Sequence, residues 1–338
     1  MGKGKKRLLP CICLVATACV CLTSGCMRED DAIILRFADT ASTGDPDAAG
    51  NLYFAELVEE RTGGRVKVEY YNNGQLGSDK VITQATIVGT LDMAKCSAGN
   101  FTEYSDALLF TELPGLFEDF DHVRRMWQSD IRDQVTDQIK QELGLTVIMY
   151  DIDGGEPRGI GSARKEIRVP KDTKGMRIRT TGSAVEVALF RAWDASAISM
   201  EYSELYTGMQ QNLADGFYLQ SHFAVISKFE EAITCFTPVE QSWVTSVKVL
   251  GKDAEKKLGP ELYQIVIDCG REAELYKDEL WKEAEMKAYQ AMRDAGVTIV
   301  ELSREEKTQW DEASQEIWGS FVGEEIPQEL IDRINELR

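Results

Sequence analysis

The feature that most constrains the fold is a long helical pattern near the end of the chain. After Pro260 the sequence contains neither glycine nor proline until Gly296, with the single exception of Gly270. A continuous helix over residues 260–295 would be about 54 Å long at 1.5 Å per residue. A helix of that length is too long for one compact lobe, so the sequence predicts two lobes and a helix that runs along both.

The rest of the chain alternates between strand and helix patterns, which is typical of layered α/β proteins. Asp45-Pro46 supplies an N-cap and a first-turn proline for one helix, and Gly63-Gly64 ends that helix. We therefore expect an α/β fold with mixed sheets. The predicted strands are 33–38, 66–70, 91–95, 147–150, 176–179 and 297–300, and the predicted helices before the long one are 46–62, 78–88, 183–192 and 203–212.

The first 25 residues form a separate segment. Basic residues between Lys3 and Arg7 precede an uncharged apolar run over 8–22, which is the pattern of a secretory signal peptide. The run is shorter than the roughly 20 apolar residues that a membrane-spanning helix needs. We therefore predict a signal peptide over 1–25 and export of the remainder.

Small residues directly before Cys26 resemble a bacterial lipobox, in which the cysteine becomes the lipidated N-terminus. The match is imperfect, because Leu22 lies one position before the usual leucine. We predict lipidation at Cys26 and a short tether over 26–32. The alternative is an ordinary signal peptide cut nearby, with Cys26 incidental.

Charge and motif content exclude several classes of function. The chain carries a net charge of −19, and the leader holds four basic residues and no acidic one, so the exported part is more acidic still. Nucleic acid is a poor partner for such a protein. His122 and His222 are the two histidines, and we find no H-E-x-x-H, paired C-x-x-C, G-x-S-x-G or Walker motif. The sequence therefore predicts no enzyme, no metal and no cofactor.

Three cysteines remain after the leader and Cys26, namely Cys96, Cys235 and Cys269. Their odd number and wide spacing imply no disulfide framework. Buried free thiols are the expected state, although the sequence leaves one disulfide open.

Two arginines in the second half of the chain are candidate ligand contacts. Arg177 and Arg179 end a predicted strand, and strand ends that face a cleft between lobes are where α/β proteins bind ligands. A guanidinium can hold a carboxylate with two parallel hydrogen bonds. The alternative is that these arginines pair with local acidic residues.

Seven ordered blocks resemble one known family, the solute-binding subunits of tripartite ATP-independent periplasmic (TRAP) transporters of the C4-dicarboxylate and sialic-acid type. Each block is modest alone, but together they span almost the whole exported chain in order. The blocks are FAELVEERTGGRVKV at 54–68, NGQLG at 73–77, GTLDM at 89–93, LPGLF at 113–117, KGMRIR at 174–179, YSELY at 202–206 and DG at 215–216.

The resemblance implies a role for each matched position. Arg179 falls on the arginine that clamps the ligand carboxylate in this family, and Arg158 lies near a second family arginine with a gap of one residue. Tyr202 matches an aromatic position beside the ligand. Asp39 and Ser97 lie at strand ends of the first lobe, where the family contacts the rest of the ligand.

Departures from the family pattern bear on the ligand. Where the family usually has an asparagine that contacts the ligand, this chain has Leu219, which cannot donate that hydrogen bond. Ser97 replaces a carboxylate of the sialic-acid type. Trp243 lies near the return to the first lobe and is either a pocket wall or core. We therefore expect a monocarboxylate with an apolar or aromatic body rather than sialic acid or succinate.

The family resemblance implies a two-lobed fold like that of periplasmic binding proteins, with the long helix spanning the lobes. The predicted division is 33–155 and 245–284 for lobe I, and 156–244 and 285–338 for lobe II. The expected function is an extracytoplasmic, lipid-anchored subunit that captures a small organic acid and delivers it to the TRAP membrane permease. Two alternatives stay open: a binding protein that serves a membrane sensor, and a secreted lipoprotein enzyme.

Overall fold

The computed structural model describes residues 1–2 and 32–338. Cys26 and nearly all of the predicted signal peptide and tether lie outside the described residues. The architecture below is that of residues 32–338.

Strands of the described chain form two mixed sheets. They are β1 (Ile33–Ala38), β2 (Val66–Tyr71), β3 (Met93–Ser97), β4 (Leu145–Asp153), β5 (Gly159–Ser162), β6 (Arg177–Thr180), β7 (Ser196–Ser199), β8 (Gly216–Leu219), β9 (Cys235–Thr237), β10 (Val244–Gly251) and β11 (Thr298–Ile299).

Helices cover both sheets. They are α1 (Pro46–Arg61), α2 (Asp79–Ile87), α3 (Ala98–Phe101), α4 (Phe120–Gln128), α5 (Ile131–Leu143), α6 (Ala184–Ala192), α7 (Leu205–Gln210), α8 (Ser221–Ile226), α9 (Lys252–Asp294), α10 (Arg304–Gln315) and α11 (Gln328–Asn335). Short 3-10 helices occupy Asp106–Glu112, Pro170–Thr173, Tyr202–Glu204, Phe229–Ala232 and Trp318–Ser320. None of the helices in the described part of the chain is both long and apolar enough to cross a membrane.

The first sheet has the strand order β2-β1-β3-β10-β4. Strands β1, β2 and β3 run parallel, as the predicted βαβαβ unit requires, and β10 runs antiparallel to β3 and β4. Every residue of β4 and of β10 is buried. These two strands are therefore enclosed by helices on both faces, which explains why their sequences lack a clear alternation of polar and apolar residues.

The second sheet has the order β11-β9-β5-β8-β6-β7. Strands β6, β7 and β8 are parallel, whereas β5 is antiparallel to β8 and β9. The chain leaves the first sheet after β4 and returns at β10. Strands from two separate stretches of sequence therefore build the first lobe, so the two lobes share their connections.

The long helix α9 links the cores of the two lobes. Its first half contributes Leu262 and Val266 to the core formed with β1 and α1, and its second half contributes Met292 to the core around Phe217 of the second sheet. The predicted lobe-spanning helix is confirmed. It begins earlier than predicted, at Lys252, because the backbone of Gly259 (φ 65°) forms a kink that joins a preceding short helix.

The C-terminal segment contacts both lobes. In α10, Trp310 donates to the backbone carbonyl of Arg168, 2.8 Å away. Beyond α10, Trp318 donates to the carbonyl of Pro114, and a ring nitrogen of His122 lies 2.9 Å from the carbonyl of Ile334. The predicted lobe boundaries stay a prediction, but Trp318, Ile334 and Leu337 form hydrogen bonds with the segment 114–125, which precedes β4.

The cysteines of the described chain are buried. Cys96 lies in β3, Cys235 in β9 and Cys269 in α9, and all three are free thiols. Each belongs to a different element, and burial raises the pKa of all three thiols. These cysteines therefore act as small core residues.

Candidate functional site

A cavity lies between the two sheets, where several strands of both lobes end. Strands β1, β3 and β4 bring their carboxyl ends to it from the first lobe, and β6 and β8 do so from the second. This is the usual place for a ligand in an open α/β sheet. The lining residues are Thr40, Ala41, Ser42, Asp45, Asp47, Lys95, Ser97, Asn100, Asp153, Arg158, Arg179, Thr181, Tyr202, Leu219, Gln220, Phe223 and Val244.

Arg179 is a buried cation on the cavity wall, and no carboxylate among the described residues pairs with it. Its Nε donates to the carbonyl of Met200 at 2.9 Å, and only 3% of the residue is exposed. The described chain buries two other arginines, Arg124 and Arg158, and each pairs with carboxylates. Burial, with a further effect of nearby Arg158, lowers the pKa of the Arg179 guanidinium, and Glu186 opposes them. An anion in the cavity would supply the missing counter-charge.

Arg177 lies in the same strand as Arg179 but pairs with a carboxylate. Its side chain is half-buried, lies outside the cavity lining and forms a two-pronged ion pair with Asp215 at 2.8 and 3.1 Å. The alternative of a local acidic partner therefore holds for Arg177. It does not hold for Arg179 among the residues that the structure describes.

Arg158 also lines the cavity, but its charge is already met. Its Nη1 lies 2.7 Å from Glu186 and 3.2 Å from Glu112. The guanidinium lies over the ring of Tyr218 at 5.4 Å from the ring centroid. Burial, reinforced by Glu186, raises the pKa of Glu112 to about 7 although Arg158 opposes it. Arg158 is therefore held in place more firmly than Arg179 and is less available to a ligand.

Three further predicted contacts lie on the cavity wall. Tyr202 packs edge-on against Phe223 with centroids 6.1 Å apart, and its hydroxyl bonds to Ser227 at 2.5 Å. Ser97 ends β3, where its backbone N–H donates to Asp79 at 3.0 Å. Leu219 ends β8 and is buried. Folding thus brings these three residues together with Arg158 and Arg179.

Two predicted contacts are not part of the cavity lining. The Asp39 carboxylate points into the first lobe, where it accepts hydrogen bonds from Ala41 N–H, Asn51 and Tyr70 at 2.6 to 2.9 Å. Its acceptors are therefore used within the lobe. Trp243 is buried in the core against Phe120, so of its two predicted roles the position matches core.

A buried cluster of aspartate and lysine side chains lies beneath the first-lobe wall and was not predicted from the sequence. Lys248 and Lys277 are fully buried and pair with Asp47 at 2.7 and 3.3 Å, and both contact Asp151. Lys95 lies 3.9 Å from Asp153. The sequence did carry a signal, because Lys95 and Lys248 are the single charged residues in otherwise uncharged strands, and a charge in a buried strand implies a buried partner.

Three carboxylates of this cluster lie close enough to hold a cation. Oxygens of Asp47, Asp151 and Asp153 are within 4.8 Å of one another. The ammonium groups of Lys248 and Lys277 already contact two of the three. The cluster therefore has internal counter-charges, and its chemistry is that of a structural ion-pair network.

Comparison with known proteins shows that this chain is similar to bacterial solute-binding proteins. The family model for "bacterial extracellular solute-binding protein, family 7" matches residues 37–325. The 2,3-diketo-L-gulonate-binding periplasmic protein of Escherichia coli is 26% identical over 307 residues, which cover 90% of this chain and 92% of that protein. The C4-dicarboxylate-binding periplasmic protein of Rhodobacter capsulatus is 27% identical over 83% of this chain and 84% of that protein.

Solved structures share the fold at lower identity. The sugar acid binding protein of Advenella mimigardefordensis, in complex with galactonate, superposes with a TM-score of 0.86 at 21% identity and covers 91% of this chain and 99% of that one. A TRAP periplasmic solute-binding protein of Sulfurospirillum deleyianum with bound succinate gives a TM-score of 0.84 at 24% identity, covering 90% and 99%. The two-lobed α/β architecture is thus shared across these proteins.

Proposed function

The chain belongs to family 7 of the bacterial extracellular solute-binding proteins, and from this membership we propose that it captures a small organic carboxylate between its lobes and delivers it to the membrane subunits of a TRAP transporter. The observation that carries the proposal is Arg179, a buried guanidinium that faces the cavity without a carboxylate partner in the described chain. Succinate, galactonate and diketogulonate, the ligands named for the similar proteins, all carry a carboxylate.

The mechanism is lobe closure without covalent change. The cavity wall combines Arg179 of the second lobe with Ser97 and Asn100 of the first. A ligand that bridges them binds the closed arrangement better than the open one, and that difference in affinity shifts the population toward closure. The closed form then presents both lobes to the permease in one fixed geometry.

The ligand body that fits is partly apolar. Leu219 stands where the family has an asparagine, and Tyr202, Phe223 and Val244 add aromatic and aliphatic surface to the wall. We propose a monocarboxylate whose body packs on this side of the cavity, rather than sialic acid or succinate. The opposite wall carries the polar residues Asp45, Lys95 and Ser97.

A panel of organic acids tests the proposal. Thermal-shift screening followed by calorimetry should show binding by monocarboxylates with aliphatic or aromatic bodies. Binding by polyhydroxy acids or dicarboxylates alone would contradict the proposed ligand body but keep carboxylate capture. Recovery of the ligand unchanged after incubation is expected of a binding protein, and conversion of the ligand would favour the enzyme alternative.

The proposed location is extracytoplasmic, in the periplasm or at the outer face of the cell membrane, with a lipid anchor. Family membership supports an extracytoplasmic site, and the lipobox-like residues before Cys26 support lipid anchoring there. Replacing Cys26 by alanine should move the protein from the membrane fraction to the soluble fraction of cells. Unchanged fractionation would show that Cys26 does not carry the anchor.

A further inference from the structure

Asp45 is a second buried ionisable group on the cavity wall that has no oppositely charged partner among the described residues. Only 2% of the residue is exposed. One carboxylate oxygen caps α1 by accepting the Asp47 N–H at 2.9 Å, and the other accepts no hydrogen bond from the described residues. The nearest basic group is His222, 4.0 Å away, and burial lowers its pKa to about 4, so the ring is neutral.

The other carboxylates on the cavity wall differ from Asp45 in this respect. Asp47 pairs with Lys248 and Lys277, and Asp153 lies 3.9 Å from Lys95. Around Asp45, no lysine or arginine of the described chain comes within ion-pair distance. Burial and the neighbouring Asp47 raise the pKa of Asp45 well above its usual range, so this carboxyl group holds a proton while the cavity contains no ligand. An ammonium group beside its free oxygen would favour the ionised form, and the proton would then leave to solvent.

Arg179 and Asp45 therefore give the cavity an unpaired cation and an unpaired carboxyl group among the described residues. Arg179 belongs to the second lobe and Asp45 to the first, so the two groups face the cavity from different lobes. Burying a polar or charged group without a partner is costly, and a ligand that supplies the partner recovers part of that cost. A simple carboxylate pairs with Arg179 and leaves the free oxygen of Asp45 without a partner.

Aromatic side chains lie beside Asp45. Phe223 packs against His222 with centroids 5.9 Å apart, and Tyr202 packs against Phe223. Tyr202 and Phe223 also line the cavity. Aromatic faces attract ammonium groups within about 6 Å of the ring centroid, so this part of the wall suits a cationic group as well as an apolar one.

We infer that the ligand is a small zwitterion, with its carboxylate on Arg179 and an ammonium group on Asp45. This inference rests on the proposed function and specifies its ligand class as amino-substituted monocarboxylates. The ammonium binds between Asp45 and the aromatic rings, and the apolar body of the ligand packs on Leu219 and Val244. Such a zwitterion stabilises the closed form, because its carboxylate pairs with Arg179 in the second lobe and its ammonium group pairs with Asp45 in the first.

Matched ligand pairs test the inference. Calorimetry on the full chain would compare leucine, phenylalanine and γ-aminobutyrate with the hydroxy acids in which a hydroxyl replaces the amino group. At least one amino acid should bind about tenfold or more tightly than its hydroxy counterpart, the range expected for one charge-assisted contact. Equal or tighter binding of every hydroxy acid would overturn the zwitterion inference and leave carboxylate capture intact. If neither kind binds, the zwitterion inference fails, and the proposed function fails as well only if the whole organic-acid panel is also negative.

The Asp45→Asn variant provides a second test of the ammonium contact. Asparagine is as good an N-cap as aspartate, so the variant keeps α1 and loses only the charge. It should lower affinity for the preferred amino acid about tenfold or more and change that for the hydroxy acid little. Asp119→Asn is the matched control, because Asp119 caps α4 by accepting the His122 N–H at 2.7 Å and does not line the cavity. An equal loss for both ligands in Asp45→Asn would contradict the ammonium contact.

Discussion

Arg158 and Glu112 form a buried ion pair that connects the two lobes, with 3.2 Å between Nη1 and Oε2. Glu112 ends the 3-10 helix that precedes α4, whereas Arg158 directly precedes β5 of the second sheet. Glu186 shares the same Nη1 at 2.7 Å. One cation therefore faces two carboxylates in a site without solvent, and one of the carboxylates holds its proton to an unusually high pH.

Stability should fall as the pH rises toward neutrality. Burial raises the pKa of Glu112 from 4.5 to about 7, so the folded state keeps a proton that the unfolded state has released. Stability from this group is complete below the unfolded pKa and is lost as the pH rises through the folded one. Asp153 and Glu156, whose pKa values burial also raises to about 7, act in the same direction.

Urea unfolding of the Glu112→Gln variant measures how much Glu112 contributes to the pH dependence of the free energy of unfolding. Between about pH 5 and pH 8 the variant should lose less stability than the wild type, by on the order of 1 kcal/mol. Glu305→Gln, at an exposed position of α10, should keep the wild-type profile. An unchanged profile in Glu112→Gln would mean that Glu112 is ionised in the folded protein.

Arg179→Ala should separate binding from stability. Each charge-assisted hydrogen bond to the ligand is worth about 1.5–3 kcal/mol, so the variant should lose tenfold or more in affinity for its carboxylate ligand. Because Arg179 has no carboxylate partner in the described chain, the Tm without ligand should stay the same or rise. Arg177→Ala should do the opposite, with unchanged affinity and a modest loss of Tm, since it removes the pair with Asp215.

Gly270→Ala should destabilise the protein although alanine favours helices. A Cβ at this position of α9 would lie 2.4 Å from Cγ2 and 2.9 Å from the carbonyl oxygen of Ile148 in β4. The backbone contact cannot be relieved by a rotamer change, so we expect a loss of about 1–3 kcal/mol in chemical unfolding. Met286→Ala, 73% exposed on the same helix, should change stability by only about 0.5 kcal/mol or less.

Lys277→Met should be strongly destabilising. The ammonium group lies among Asp47, Asn51 and Asp151 and is fully buried. Removing Lys277 leaves Asp47 and Asp151 to share the single charge of Lys248, and breaking a buried ion pair costs about 3–5 kcal/mol. The same substitution at Lys282, whose pair with Glu279 is exposed, should cost about 0–1 kcal/mol. Equal effects at both positions would show that the buried network adds nothing to the free energy of unfolding.

The sequence by itself determined the βαβαβ start, the long helix and the family, whereas strands β5 and β7 to β10 and helices α4, α5 and α8 were not predicted. The long α9 was predictable because helix formation depends on local periodicity and on the positions of Gly270 and Gly296, all of which lie within one segment. The βαβαβ start was predictable for the same reason. Ordered blocks spread over the chain then identified the family and, through it, Arg179.

Only the tertiary structure decided which charges are matched. Asp39 and Asp45 lie close in sequence, yet their hydrogen bonding differs. The Asp39 carboxylate accepts hydrogen bonds from Asn51 and Tyr70. One oxygen of Asp45 accepts a hydrogen bond, and the other accepts none from the described residues. Lys277 meets Asp47 across 230 residues of sequence, and Arg158 meets Glu112 across 46. Periodicity carries no information about such distant partners. Because a buried charge binds a ligand only where the fold leaves it unpaired, the polarity of the cavity emerges only once both lobes are assembled.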